Sequence, residues 1–159
     1  MKESEKDKRH LTEELQGLHE KIAGLEQCQV GLSASQEALN RSEQAFLDLF
    51  NATEDIAFLQ ELDGTILIAN NNSATFYRVA RENIVGRSIY DLIPEDKVES
   101  AKEKVQAVVE TRKTVRFEGT LGENVFENSL YPVFDHAGNV RRIAVYVRDI
   151  TTRKLLEAA

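Results

Sequence analysis

The sequence predicts an α+β fold: a five-stranded antiparallel sheet with helices on one face, preceded by a long N-terminal coiled-coil helix. Three observations support this prediction. Leucine recurs every seven residues from Leu11 to Leu39, and every aromatic residue lies at or after Phe46. The apolar runs of the second part follow the order β-β-α-α-α-β-β-β. A heptad stripe is too narrow to form a core alone, so the first part needs a partner helix, whereas the second part has the side chains of a globular core.

The composition is typical of a soluble globular chain and argues against several classes of protein. The chain of 159 residues has 27 acidic and 20 basic side chains, a net charge of −7, whereas nucleic-acid binding normally needs a basic face. No apolar run reaches the roughly 18 residues of a membrane span, so no membrane insertion is expected in this chain. The lone cysteine, Cys28, and the absence of a secretory leader favour a reducing, cytoplasmic location.

Residues 1–42 are interpreted as an N-terminal parallel coiled-coil helix that forms a homodimer. Leucine at five successive d positions favours two parallel strands. Two glutamines at a, and three glycines at c that cost about 1 kcal/mol each relative to alanine, weaken such a coiled coil. Two interpretations stay open: a seam whose register responds to small forces, or simply a weak dimer. The predicted seam consists of Leu11, Leu15, Leu18, Ile22, Leu25, Gln29, Leu32, Gln36, Leu39 and Phe46.

The period of the apolar residues changes after Asn51. The runs DIAFLQEL and TILIA are separated by Asp63-Gly64, which predicts a β-hairpin. The segment Asn70–Asn72 ends the second strand and can cap a short helix. Further short helical pieces are expected up to Gly86, a residue typical of helix ends.

The remaining elements alternate between one longer helix and three strands. Apolar residues three or four apart predict a helix from about Glu95 to Glu110. Three strand-like segments follow, TVRFEGTL, NVFENSLYPVFD and VRRIAVYVRDI, with turns at Gly122-Glu123 and His136–Gly138. A last helix is expected after Asp149.

Residues 43–150 resemble the PAS family of sensory domains. The stretch GTILIANNNSATFYRVARENIVGRSIYDLIPED resembles the first half of such a domain, and VFENSLYPVFDHAGNVRRIAVYVRDITTRK resembles its second half, with the DIT.RK sequence of the PAS exit. A coiled coil before the domain and the start of an output helix at 151–159 resemble the arrangement in bacterial sensor histidine kinases and diguanylate cyclases. The resemblance implies a PAS fold, a homodimer and a downstream effector domain in the parent protein.

The function implied by this resemblance is that of a sensory and dimerisation module. It would bind a small apolar ligand and relay a conformational change through its flanking helices. The alternative is a ligand-free PAS domain that only transmits signals between coiled-coil segments. The chain is not expected to be an enzyme, since His10 and His19 lie on the coiled coil and His136 lies in a turn, away from any nucleophile.

The family's cofactors can be tested against the residues. Haem-binding relatives commonly use a histidine on the long helix, and the stretch IPEDKVESAKEKVQAVVETRK has none. Flavin photosensors of the LOV type need a cysteine in the stretch that is GRSIYDL here, and Cys28 lies outside the fold. Haem held by a helix histidine and cysteinyl-flavin are therefore not expected, nor is a metal. A small organic ligand stays open as an alternative, and so does flavin or haem held non-covalently by other residues, though no residue argues for either.

The candidate ligand pocket lies between the sheet and the helices, as the resemblance implies. Strand alternation places Phe126, Asn128 and Leu130 on one face. A packed core also explains the apolar members, but the Asn128 amide needs a hydrogen-bond partner if it is buried. The small side chains of Ser73 and Ala74 suggest spare volume. The predicted pocket residues are Phe58, Phe76, Val79, Ile84, Ile89, Leu92, Val105, Phe126, Asn128, Leu130, Val145 and Val147.

A signal exit is predicted where the last strand becomes a helix. Asp149 and Thr151 are the residue types that cap a helix, so they are expected to fix the position of this junction. The resemblance implies that the junction passes changes in the sheet to the output helix.

Overall fold

The structure, a computed structural model, describes residues 2–158, and their side chains except those of residues 2–4 and 81. The chain divides into two compact units, one up to Phe46 and one from Leu47 onward. In chain order the elements are α1 (Lys2–Asn51), β1 (Ile56–Glu61), β2 (Ile66–Ala69), α2 (Asn71–Tyr77), α3 (Arg81–Ile84), a 3-10 turn (Ile89–Asp91), α4 (Glu95–Thr111), β3 (Val115–Leu121), β4 (Asn124–Phe134), β5 (Val140–Asp149) and α5 (Thr151–Glu157).

The first unit is a single helix, the greater part of α1, so the predicted long N-terminal helix is confirmed. The helix continues through Gly17, Gly24 and Gly31, each of which faces open space. The seven leucine and isoleucine residues of the seam from Leu11 to Leu39 each leave more than half of their side-chain surface exposed. Such a stripe is what a coiled coil buries, and its pairing with a second copy remains a prediction.

The second unit contains the predicted five-stranded antiparallel sheet, with strand order β2-β1-β5-β4-β3. The turn between β1 and β2 requires glycine at position 64 for two reasons. Gly64 has a φ of 92°, which disfavours any side chain, and a Cβ there would lie 2.5 Å from a Tyr90 ring carbon. Because β1 pairs antiparallel with β2 across this turn, the hairpin at Asp63-Gly64 is confirmed, and the Tyr90 ring packs against Gly64.

The helices between β2 and β3 cover one face of the sheet, and the hydrophobic core lies between the two layers. Strand register defines the rows on this inner face: Phe58 of β1 lies opposite Val145 of β5, which lies opposite Leu130 of β4. The buried core cluster consists of Ile56, Phe58, Ile66, Ala69, Ile84, Ile89, Val105, Val108, Phe126, Leu130, Ile143, Val145 and Val147.

Candidate functional site

The inner face of the sheet and the helices above it line a cavity of about 560 Å³ that is partly open to solvent. Its walls are the inward residues of β1, β3, β4 and β5 on one side, and α2, the 3-10 turn and α4 on the other. Several exposed lining residues belong to the first half of α4 or the second half of β3. The cavity therefore opens to solvent between α4 and the edge strand β3. A cavity of this size is within the usual range for small organic ligands.

Ten of the twelve predicted pocket residues line this cavity. They are Phe58, Phe76, Ile89, Leu92, Val105, Phe126, Asn128, Leu130, Val145 and Val147. The other two lie elsewhere in the fold. Ile84 is completely buried in the core at the end of α3, which packs beside β2, and Val79 packs partly buried against that core. Both were expected to face the pocket from the side of the helices, but α3 is a single turn that packs beside the edge strand β2.

Several lining residues were missed from the sequence, among them Gln60, Tyr77, Phe117 and Gly119. Gln60 had a signal, because strand alternation from Phe58 places it on the same inward face. Tyr77 had none, since it directly follows Phe76 on the short α2, and the pattern of a seven-residue helix does not predict that both rings face the cavity.

Two carboxamides supply the polar groups of the sheet wall. Gln60 is only 2% exposed and forms no side-chain hydrogen bond with a described residue. No fully covered side-chain nitrogen or oxygen lacks a partner among the described residues, so the amide of Gln60 keeps some accessible surface, and Gln60 is one of the residues that line the cavity. Asn128 is half-buried, and its Nδ2 lies 3.5 Å from the Phe126 carbonyl oxygen, the limit of a hydrogen bond. Both amides therefore have hydrogen-bonding capacity left for a bound molecule.

Aromatic rings form much of the helical wall. Tyr77 packs edge to face against Phe58 and Phe76, with ring centroids 6.2 and 5.0 Å away, and Phe76 packs in the same way on Phe126. Burial raises the pKa of the Tyr77 hydroxyl above its usual range, because the charged form would lose its hydration. The hydroxyl therefore stays neutral and presents a donor and an acceptor at physiological pH.

The side chains around the cavity do not suggest metal or cysteine chemistry. No histidine or cysteine is among the lining residues. No group of three or more histidine, cysteine, aspartate or glutamate residues that could hold a metal ion occurs within the described part of the chain. None of the described helices is long and apolar enough to cross a bilayer.

Comparison with known protein families gives a match over residues 50–155, to the family described as the PAS fold. The chain belongs to the PAS fold family. The predicted family and fold are thus confirmed. A comparison with curated proteins finds no match.

Solved structures, among them that of a PAS domain, are similar to this one in fold. A PAS domain from Colwellia psychrerythraea is 22% identical with a TM-score of 0.58, covering 73% of this chain and 99% of that one. A sensory box sensor histidine kinase from Vibrio cholerae is 16% identical with a TM-score of 0.53, covering 74% and 98%. A structure of VqmA bound to DPO is 15% identical with a TM-score of 0.57, covering 67% of this chain and 57% of that one.

The entry of the PAS domain is held by a buried asparagine. The Oδ1 atom of Asn70 accepts hydrogen bonds from the backbone N–H groups of Ala57 at 3.1 Å and Ser73 at 3.0 Å. Its Nδ2 donates to the carbonyl of Asp55 at 2.8 Å and lies 3.4 Å from that of Phe50. One side chain thus ties together the end of α1, the start of β1 and the N-terminus of α2, whose far end carries the cavity residues Phe76 and Tyr77.

The suggestion of spare volume at Ser73 and Ala74 was wrong. Ser73 is completely buried, and its hydroxyl lies 2.8 Å from Asn70 Oδ1 and 2.9 Å from the Ala57 carbonyl oxygen. Neither residue lines the cavity. A small side chain is needed at position 73 because the first turn of α2 packs directly on β1, and the hydroxyl satisfies a backbone acceptor there.

The predicted exit residues of the PAS domain make two different contacts. The Asp149 carboxylate accepts the N–H of Thr151 at 2.8 Å and so holds the first residue of α5. The Thr151 hydroxyl instead accepts the N–H of Val125 on β4 at 3.0 Å. Hydrogen bonding by Thr151, through its hydroxyl and its backbone N–H, lowers the pKa of Asp149. One residue therefore fixes where the helix starts, and the other fastens it to the sheet.

Proposed function

We propose that this PAS domain is a sensory module that binds a small organic molecule in the cavity and relays the resulting change through its flanking helices. The observation that carries the proposal is the cavity itself, between Asn128, Phe76 and Ile89. A PAS domain that served only as a structural connector would be expected to fill this space with side chains, since protein interiors are normally close-packed. A complex of VqmA with DPO is among the structures similar in fold.

The contacts of α5 supply a route from the cavity to the exit. Glu118 of β3 is at the mouth of the cavity, and its carboxylate pairs with Lys154 of α5 at 2.8 Å. The Thr151–Val125 hydrogen bond ties the same helix to β4. A ligand that displaces β3 would therefore act on α5 and, through it, on an effector domain. It can do so only if it binds one arrangement more tightly than the other.

The proposal is tested by filling the cavity. Ala101→Phe places a ring in the cavity from α4, whereas Ala107→Phe makes the same change on the same helix at a residue outside the lining. Each protein is screened with neutral two-ring compounds by thermal melting and native mass spectrometry. We expect bound mass and a raised Tm for the wild type and for Ala107→Phe, and neither for Ala101→Phe.

A negative result with the wild type has a clear meaning. If no compound binds the wild type, and Ala101→Phe melts no higher than the wild type, the cavity is not a ligand site. The second candidate function, a ligand-free module that joins coiled-coil segments, would then be favoured. Its supporting observation is the exposed apolar stripe of α1.

The proposed partner of α1 is a second copy of this chain. The stripe repeats every seven residues, and leucine at d favours two parallel strands. The lone cysteine, exposed on the same helix, suits a module that works in a reducing compartment such as the cytoplasm. The dimer would give the ligand-dependent change two helices to act on, and therefore two relative arrangements to select between.

A further inference from the structure

We propose that the cavity is specific for a neutral molecule with a hydrogen-bond donor next to an acceptor, and that Gln60 is its anchor. This inference rests on the proposed ligand site and adds the chemical class of the ligand. A primary carboxamide presents an N–H donor and a carbonyl acceptor side by side. Its complement is a ring that carries an adjacent acceptor and donor, as a cyclic amide does.

Gln60 is only 2% exposed, on the inward face of the inner strand β1. A carboxamide buried in this way loses its hydration and is normally paired. The amide of Gln60 has no side-chain partner in the described part of the chain and keeps some accessible surface, and Gln60 lines the cavity. An apolar residue at this position would complete the core without the cost of an unpaired buried amide. The amide is therefore best explained as a group that forms hydrogen bonds with a bound ligand.

The charges around the cavity favour a neutral ligand. The charged lining residues are Arg78, Lys97 and Glu118, and all three are exposed at its margin. Glu118 is already paired with Lys154. No charged side chain is among the buried lining residues, so a carboxylate or phosphate beside Gln60 would lose its hydration without gaining a counter-charge.

The strand register separates the two amides and decides which one anchors. Gln60 lies opposite Ile143 and Asn128 lies opposite Val147, on the two sides of β5 and four residues apart along it. Their Cα atoms are therefore roughly 16 Å apart, from the usual strand spacing and rise. A two-ring molecule contacts one amide only. Gln60 lies two strands further than Asn128 from the edge strand β3 and is the more buried of the two. It therefore anchors the ligand at the end of the cavity away from the opening.

The test uses three probes of the same two-ring size: quinolin-2-one, a neutral cyclic amide; naphthalene, which has no polar group; and 2-naphthoate, which is anionic. The chain has no tryptophan, so binding can be followed by probe fluorescence as well as by melting. The variant is Gln60→Leu, which keeps a side chain of similar volume and removes the donor and the acceptor proposed to bind the ligand. The control is Gln106→Leu on the exposed face of α4, outside the lining.

We expect Gln60→Leu to weaken quinolin-2-one about tenfold and to leave naphthalene unchanged or tighter, because only the hydrogen bonds are lost. The wild type should not bind 2-naphthoate measurably, and Gln106→Leu should behave as the wild type. The unliganded Gln60→Leu protein should melt above the wild type, because an unpaired buried amide has been removed.

Other results overturn the inference. Equal loss of quinolin-2-one and naphthalene, or no loss of either, would show that Gln60 does not select the polar group. A Gln60→Leu protein that melts below the wild type or fails to fold would show that the amide is already satisfied in the folded chain. If none of the three probes binds the wild type or raises its Tm, the proposed ligand site fails as well, whereas binding without the expected preference leaves that site standing.

Discussion

At the scale of single residues, two buried polar side chains of this domain differ in whether they are paired within the fold. Asn70 has its hydrogen-bonding groups satisfied and joins three elements at the entry of the fold. Gln60 is equally buried, but its amide keeps some accessible surface and Gln60 lines the cavity. The first pattern is typical of structural polar groups and the second of binding groups, since the free energy of an unpaired buried amide is recovered only when a partner arrives.

Asn70→Ala should lower the free energy of unfolding by about 3 kcal/mol, because it leaves several buried backbone groups without a partner. Urea unfolding followed by circular dichroism measures the change. Asn83→Ala is the control, since the exposed side chain of Asn83 makes no hydrogen bond with a described residue, and it should change stability by less than about 0.5 kcal/mol. Equal effects of the two substitutions would contradict the structural role of Asn70.

The raised pKa of Tyr77 predicts a loss of stability at alkaline pH. The folded state holds the phenolic proton more tightly than the unfolded state does, so the contribution is present below the unfolded pKa of about 10 and is lost as the pH rises through the folded pKa. Relative to Tyr77→Phe, the wild type should lose about 1 kcal/mol of unfolding free energy between pH 8 and about pH 11. Urea unfolding of both proteins at the two pH values measures this difference. Parallel pH profiles would show that the hydroxyl is well hydrated in the folded state.

At the scale of elements, three contacts hold α5 (Thr151–Glu157) at the exit of the PAS domain. Asp149 holds its first N–H, Thr151 fastens it to β4, and Lys154 pairs with Glu118 of β3. The position of α5 is thus set by the β3–β4 hairpin, which also forms part of the cavity wall.

Thr151→Val should free the N–H of Val125 while preserving the shape of the side chain. Amide hydrogen exchange at Val125 is expected to accelerate about tenfold, because the hydrogen bond to the Thr151 hydroxyl is lost. Thr152→Val is the matched control, since Thr152 is exposed on the same helix and its hydroxyl binds no described group. Unchanged exchange at Val125 in the Thr151→Val protein would remove this contact from the proposed relay.

Asp149→Ala tests the start of α5 in a protein that includes the output domain. The substitution removes the acceptor of the Thr151 N–H and should uncouple output from the PAS domain without unfolding it. In the present chain it should lower the stability of α5 at neutral pH. The contribution of the carboxylate is present above its unfolded pKa and is lost as the pH falls through the depressed folded pKa. Output that still responds to ligand after this substitution would refute the coupling role.

The elements were predictable because local chemistry specifies them, whereas the interior of the site depends on packing. The turn at Asp63-Gly64 was predictable because these residue types favour the backbone conformation of a tight turn. The inward row of β4, which includes Asn128, was predictable from the alternation of residues along the strand. Ile84 and Val79 lie outside the cavity lining, and their position depends on how the one-turn α3 packs beside β2, which local sequence does not show. Tyr77 was missed because only the tertiary structure shows which side of a short helix faces the sheet.

At the scale of the whole molecule, the unpaired apolar stripe of α1 requires an explanation. Its leucine and isoleucine side chains from Leu11 to Leu39 are more than half exposed in the single chain, and burying each one contributes on the order of 1 kcal/mol or more. Gln29 and Gln36 reduce the gain but can fix the register of a parallel pair. A homodimer follows if the summed burial exceeds the cost of association.

The pairing predicts a sharp difference between two substitutions on the same helix. Leu25→Asp introduces a charge at d, and in a homodimer it places two like charges in the seam, whereas Val30→Asp introduces the same charge at b, outside it. Both side chains are about equally exposed in the single chain, 69% and 70%, so exposure alone predicts no difference. Sedimentation velocity should show a dimer for the wild type and Val30→Asp, and a monomer for Leu25→Asp, because burying an unpaired charge in the seam opposes association. A wild type that sediments as a monomer, or a Leu25→Asp protein that still sediments as a dimer, would contradict pairing through this stripe.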